Sequence, residues 1–267
     1  MWNEFLREIK ITKRESTYEN YKNALKHFQK GNKEEVLVFI SKTGLSESSK
    51  KLYLNVLGSA LEYYDMETKD IKRIISNYRA NTTIEPCPTD KEVEMVWESC
   101  KTARDRLIFG LMAYAGLRVS EVQALTMDCI INGNKIVLKG TKGKHDAIVT
   151  LVHPRILEAL QEYLSDKPWC HDKNKPLFVT NRHQGMTLEG MKFMIKRKCV
   201  KLNLPYHPHS FRRYFGNTLS RKGLPLQLIS RAMRHKNVKT TMGYLNISQE
   251  DVASALKGIY KEEDGAK

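Results

Sequence analysis

The chain has 267 residues, 41% of them hydrophobic, which fits one large or two modest folded domains and excludes an intrinsically disordered chain. No run of about 18 uncharged apolar residues occurs, and the opening MWNEFLREIKITKRE lacks the apolar core of a secretory leader, so neither a membrane span nor export is expected and the location reads as cytoplasmic. The five cysteines are scattered with no CxxC pair, which argues against a disulfide framework or zinc site, and the net charge of +15, of which residues 86–267 carry +12, suits a polyanionic partner.

In chain order, the first part reads as four short helices. Ser16 caps a helix running to Gln29, with Tyr21, Leu25 and Phe28 on one face and Gly31 as its stop. A second covers Glu34–Ser41, and a third runs from Ser48 to Tyr64 with Leu52, Leu57, Leu61 and Tyr64 at helical spacing. The fourth covers Asp70–Tyr78. Pro86 and Pro88 then exclude a continuing helix, which predicts a helical domain over residues 1–80, a linker over 81–89 and a second domain over 90–267.

The second part opens with a helix over Asp90–Lys101. Arg104–Ala115 follows, apolar enough to be the buried central helix, with Gly116 at its exit. Ser120 starts another helix, with Gln123 in capping-box position. The period then changes. Residues 135–139 and 147–152 are β-rich and flank the glycine-bearing turn Gly140-Thr-Lys-Gly-Lys144, which predicts a hairpin. Helices resume at Pro154–Leu164, Thr187–Leu202, Ser210–Lys222, Leu226–Met233 and Ser248–Tyr260. The predicted class is mainly α with a small antiparallel β-sheet. Met186–Met194 reads as core, and His145, His153 and His207 as outside any chemistry.

Cutting a phosphodiester without a metal requires a nucleophile, cations for the charge of the transition state, and a proton for the leaving alkoxide. Arginine suits the second need, because its planar fork matches two non-bridging phosphate oxygens. Three segments answer this description. Ala115-Gly-Leu-Arg-Val-Ser-Glu121 places Arg118 at a glycine-opened break between helices. His207-Pro-His-Ser-Phe-Arg-Arg213 puts His209 and Arg212 three apart on one helix face, with Phe211 and Phe215 as anchors. Met233-Arg-His235 precedes Tyr244 by a fixed short spacing, in Lys239-Thr-Thr-Met-Gly-Tyr244.

Together these segments resemble the tyrosine recombinase (phage integrase) family, particularly its short Xer-like members. Arg118, Glu121, His209, Arg212, His235 and Tyr244 match the family pattern in order. Lys142, in Lys142-Gly-Lys-His-Asp-Ala-Ile-Val-Thr-Leu151, matches the family's hairpin lysine, with Lys144 as the alternative. By motif the resemblance spans residues 88–260, and the four-helix pattern upstream looks like the family's core-binding domain. The sequence departs from the pattern at Arg213, where histidine is common, and at Met233-Arg234, where Leu-Gly is usual. These departures bear on substrate fit and local packing rather than on the reacting groups.

The resemblance implies a site-specific recombinase that cleaves and rejoins strands of duplex DNA. Tyr244 would attack the scissile phosphate and form a 3′-phosphotyrosyl bond, while Arg118 and Arg212 clamp its non-bridging oxygens. Lys142 would protonate the leaving 5′-oxygen, His209 and His235 would assist proton transfer, and Glu121 would support the arginines. One ester replaces another, so neither metal nor cofactor is implied, and no small-molecule substrate. The family layout also implies a two-domain clamp on DNA, a tetramer on two sites and a nucleoid-associated location, while the apolar face of Ser248–Tyr260 predicts that the segment after Tyr244 docks on a neighbouring protomer. Rival readings are a type IB topoisomerase-like DNA-relaxing enzyme and a DNA-binding protein without catalysis.

Overall fold

In the computed structural model the described residues are 1–42, 44–66, 68–78, 86–140, 146–165 and 175–235. Lys142, Lys144, His145, Tyr244, most of the expected linker and the Ser248–Tyr260 helix lie outside them. The chain forms two compact units, Met1–Ile84 and Glu85–Lys267, each with its own apolar core. The architecture is mainly helical with a three-stranded antiparallel sheet, as the sequence predicts.

The first unit holds α1 (Asn3–Thr12), α2 (Glu15–Leu25), α3 (Lys33–Ser41), α4 (Glu47–Tyr63) and α5 (Lys69–Asn77). The described residues thus contain five helices where spacing predicts four, and α1 is the addition. It buries Phe5 and Ile9, and the preceding Trp2 donates its indole N–H to the Phe28 carbonyl at 2.5 Å. A ten-residue helix gains its stability from such tertiary contacts, which a local pattern does not reveal. On α4 the buried stripe is Leu54, Leu57 and Leu61, whereas Leu52, expected on that face, is exposed. Asn32 caps α3 by accepting from the Glu35 N–H at 2.9 Å, and Glu35 in turn accepts the Gly31 N–H at 2.8 Å.

The second unit opens with α6 (Asp90–Ser99), held by a reciprocal cap in which Thr89 and Glu92 accept each other's backbone N–H. The helix α7 (Ala103–Ala113) is the core helix. Every residue from Leu107 to Ala113 is buried, as expected of a helix apolar on all sides. A five-residue helix, α8 (Val119–Gln123), follows. It begins one residue earlier than Ser120, and its box partner is Glu121 rather than Gln123, because the Glu121 carboxylate accepts the Arg118 N–H at 2.8 Å.

Next comes the sheet, in order β1 (Ile130–Ile131), β2 (Lys135–Leu138) and β3 (Ala147–Thr150). The β2–β3 hairpin pairs Ile136 with Val149, and β1 adds a two-residue edge too short to give a periodic signal. The remaining helices are α9 (Pro154–Ser165), α10 (Leu188–Lys201), α11 (Pro208–Arg221) and α12 (Leu226–Ala232). A nearly buried ion pair, Lys198 to Asp105 at 3.1 Å, ties α10 to α7, and Lys198 also donates to the Ser99 carbonyl. Met191 and Met194 are buried in the core, as expected for the Met-rich stretch.

Candidate active site

The site is built where four helices of the second unit begin or end: the exit of α7, the starts of α8 and α11, and the end of α12. At the exit of α7, Gly116 has φ +63, a conformation that costs a side-chain-bearing residue about 1–2 kcal/mol. A Cβ there would sit 2.3 Å from Cδ1 of Phe215 on α11, so the glycine is required by space as well as by backbone. The tight exit turns the Gly116 carbonyl toward α11 and leaves Arg118 extended at the start of α8. The Arg118 Nη1 donates to Glu121 Oε1 at 2.8 Å, and its side chain is 39% exposed, within reach of a ligand.

The helix α11 starts at Pro208, two residues before Ser210, because His207 serves as its cap: its Nδ1 accepts the His209 N–H at 3.2 Å. Phe211 is fully buried against Phe109, with ring centroids 4.8 Å apart. That anchor fixes the helix face carrying His209 and Arg212. His209 is exposed at the first turn, whereas Arg212 is 0% exposed. Arg212 donates through Nη1 to the Gly116 carbonyl and through Nη2 to the Met233 carbonyl, and its Nη1 lies 3.7 Å from Glu121 Oε2. Both carbonyls belong to chain turns, so one guanidinium ties the exit of α7 to the end of α12.

The end of α12 positions His235. Arg234 N–H donates to the Arg231 carbonyl and His235 N–H to the Ser230 carbonyl, each at 3.0 Å, the paired bonds of a Schellman turn. Arg234 takes the left-handed position, φ +53, which glycine usually fills. Its Nη2 reaches back to Glu121 Oε2 at 3.0 Å and to the Gly116 carbonyl at 2.9 Å.

Glu121 is therefore the hub. Burial pushes its carboxyl upward, but Arg234, the Arg118 backbone and side chain, and Arg212 outweigh that and hold it below its ordinary value. Three guanidiniums around one carboxylate leave the cluster net positive, as a phosphate site needs. Burial first, and then the charges of Arg212, Arg118, His209 and Arg234, push the His235 imidazole from 6.5 down to about 4. At neutral pH it is uncharged, with one ring nitrogen a hydrogen-bond donor and the other an acceptor.

Of the residues singled out from sequence, the structure brings Arg118, Glu121, Arg212 and His235 together and places His209 at the adjoining start of α11. Lys142 and Tyr244 lie outside the described residues. Arg234 was not singled out, because it stands at a departure from the family pattern. The available signal was a long cationic side chain at a position that favours glycine, next to a site histidine. His153, set aside from sequence, stacks on Tyr114 with centroids 4.1 Å apart. Among the described residues, no His, Cys, Asp or Glu group gathers as metal ligands do, and no helix is long and apolar enough to cross a membrane.

Residues 86–251 match the model of the phage integrase family. Tyrosine recombinase XerA of Pyrococcus horikoshii is 24% identical over 225 residues, covering 83% of this chain and 77% of the relative. Tyrosine recombinase XerD of Ralstonia nicotianae is 33% identical over 156 residues, covering 55% of this chain and about half, 49%, of the relative. The fold is shared with the Tn1549 transposon integrase solved in complex with circular intermediate DNA, at 17% identity and a TM-score of 0.74 over 95% of this chain and 97% of that one.

Proposed function

Because the chain belongs to the phage integrase family of tyrosine recombinases, we propose that it performs site-specific recombination through a covalent bond between Tyr244 and DNA. The observation that carries this reading is the convergence on Glu121 of Arg118, Arg212 and the turn bearing His235, from three separate helix ends.

Each group has a chemical task. Tyr244 attacks the phosphorus, and the 5′-oxygen leaves with the proton supplied by Lys142. Arg118, the exposed member of the pair, meets the phosphate first, and Arg212 stabilises it from beneath while locking two turns in place. Charge that develops on the non-bridging oxygens is met by donors already oriented, so little reorganisation accompanies the reaction. The uncharged His235 hydrogen-bonds the phosphate, and His209 at the start of α11 assists transfer of the Tyr244 phenolic proton. A 5′-hydroxyl of another strand then reverses the step. Because one phosphoester replaces another, the cycle needs no external energy source.

The DNA partner is supported by the solved relative bound to a circular intermediate and by the basic balance of the second unit. Strand exchange between two sites calls for a homo-oligomer, which we propose to be a tetramer. Removal of everything after Ile247 is predicted to abolish assembly on DNA in a gel-shift assay; intact assembly and exchange would refute the docking role of that segment.

The experiment for the chemistry uses a duplex nicked close to the cleavage position, so that the released end diffuses away and the adduct accumulates. Wild type should form an SDS-resistant protein–DNA adduct and Tyr244→Phe should form none. An adduct on the Phe variant excludes Tyr244 as nucleophile. Second-site dependence separates recombination from relaxation: efficient relaxation of a supercoiled circle by the monomer, without joining of two sites, points to a topoisomerase.

A further inference from the structure

Among the described residues, four helices end in the same left-handed turn, and they differ in what occupies it. At the end of α4 the residue is Asp65 (φ +47), after α10 it is Asn203 (φ +55), and after α11 it is Gly223 (φ +77). In each, the next residue's N–H bonds five positions back: Met66 to Leu61, Leu204 to Cys199 and Leu224 to Leu219. Aspartate, asparagine and glycine are the residues that adopt this conformation readily. After α12 the residue is Arg234 (φ +53), whose Nη1 donates to the Ala232 carbonyl at 2.9 Å and so caps its own helix, a bond that accounts for only one end of the guanidinium. The reason for an arginine must lie at the far end of its side chain.

That end points into the site. Its side chain is only 14% exposed, and its Nη2 bridges Glu121 Oε2 at 3.0 Å and the Gly116 carbonyl at 2.9 Å. These same two acceptors serve the other arginines. Arg118 holds both Glu121 oxygens at 2.8 Å, through its backbone N–H and its Nη1, and Arg212 bonds the Gly116 carbonyl with Glu121 Oε2 3.7 Å away.

We propose that Arg234 is a third arginine of the recombination site, a positioning residue that shares Glu121 and the Gly116 carbonyl with Arg118 and Arg212 and so fixes those two guanidiniums in place for the scissile phosphate. This rests on the recombinase reading above. Without Arg234, Glu121 Oε2 loses its side-chain cation, and the nearest replacement is Arg212 Nη1. Arg212 is then drawn onto the carboxylate, and the cluster loses one of its two net positive charges. Strand cleavage suffers more than DNA affinity, because affinity is spread over many phosphate contacts. Arg234 thus compensates within this chain for a departure from glycine and turns a helix stop into part of the site.

The test uses the full chain and a randomised-sequence duplex library carrying a single nick, with formation of SDS-resistant adduct as the readout. Arg234→Gly removes the side chain and relieves the backbone; Arg234→Asn is the second variant, tolerant of the same turn. Both should form adduct roughly tenfold or more slowly than wild type at saturating protein. Affinity for the same library should change by no more than about twofold. Millimolar guanidinium ion, but not urea, should restore part of the rate to Arg234→Gly, which a purely structural role does not predict. Variant rates within about threefold of wild type overturn the proposal, as does a loss that guanidinium fails to restore. Wild type that forms no adduct, or Tyr244→Phe that does, removes the recombinase reading instead, and this role with it.

Discussion

His235 shows how a side chain's charge is set by what surrounds it. An imidazole that is partly buried and faces several cations cannot readily take a proton, so its titration moves from 6.5 to about 4. In the unfolded chain it protonates in the ordinary range. As pH falls from 6.5 toward 4, the unfolded state binds a proton that the folded state refuses, and stability falls across that window. Glu121 adds to this below its own ordinary value of 4.5, because its carboxyl is held low in the fold and stability is lost as it protonates. Thermal unfolding between pH 7 and 4 should therefore show a steeper loss for wild type than for His235→Gln. Equal slopes would contradict the assigned environment. Glu121→Gln should cost about 2 to 3 kcal/mol in urea unfolding at neutral pH, since it removes the carboxylate charge 3.7 Å from the fully buried Arg212 guanidinium.

At the scale of elements, the site depends on helix ends more than on helix faces. Gly116 combines a left-handed backbone with contact against Phe215, so Gly116→Ala should cost about 2 to 4 kcal/mol from strain and overpacking together. Pairing it with Phe215→Ala should recover part of that loss in a double-mutant cycle, since the clash term disappears while the backbone term stays. Helix ends also explain what could be read in advance. The buried run Leu107–Ala113 and the stripe Leu54, Leu57 and Leu61 announce themselves by apolar density or period, although Leu52 was misassigned to that stripe. Arg118, Glu121, Arg212 and His235 were legible as a spaced pattern. Their mutual geometry was not, because it comes from backbone carbonyls of Gly116 and Met233 that no side-chain motif records. The helix α1 escaped notice because its burial depends on long-range contacts such as Trp2 to Phe28, and β1 because two residues carry no period. Arg234 escaped because its value lies in a partner 113 residues away in the chain.

For the whole molecule, two units share one chain and an uneven charge, with a total of +15 concentrated in the second part. Counterion release then dictates that DNA affinity falls steeply with salt, by roughly a thousandfold between about 50 and 200 mM if six or more phosphates are neutralised. A gel-shift series measures this, and an affinity that barely changes would contradict a phosphate-tracking surface. Covalent chemistry at Tyr244 is read most directly from the protein–DNA linkage itself. After incubation with a nicked duplex substrate, the protein is digested and the DNA-linked peptide is identified by mass spectrometry. A single phosphotyrosyl linkage is expected at Tyr244, absent in Tyr244→Phe. A linkage at any other residue, or adduct formation that survives the substitution, would contradict it.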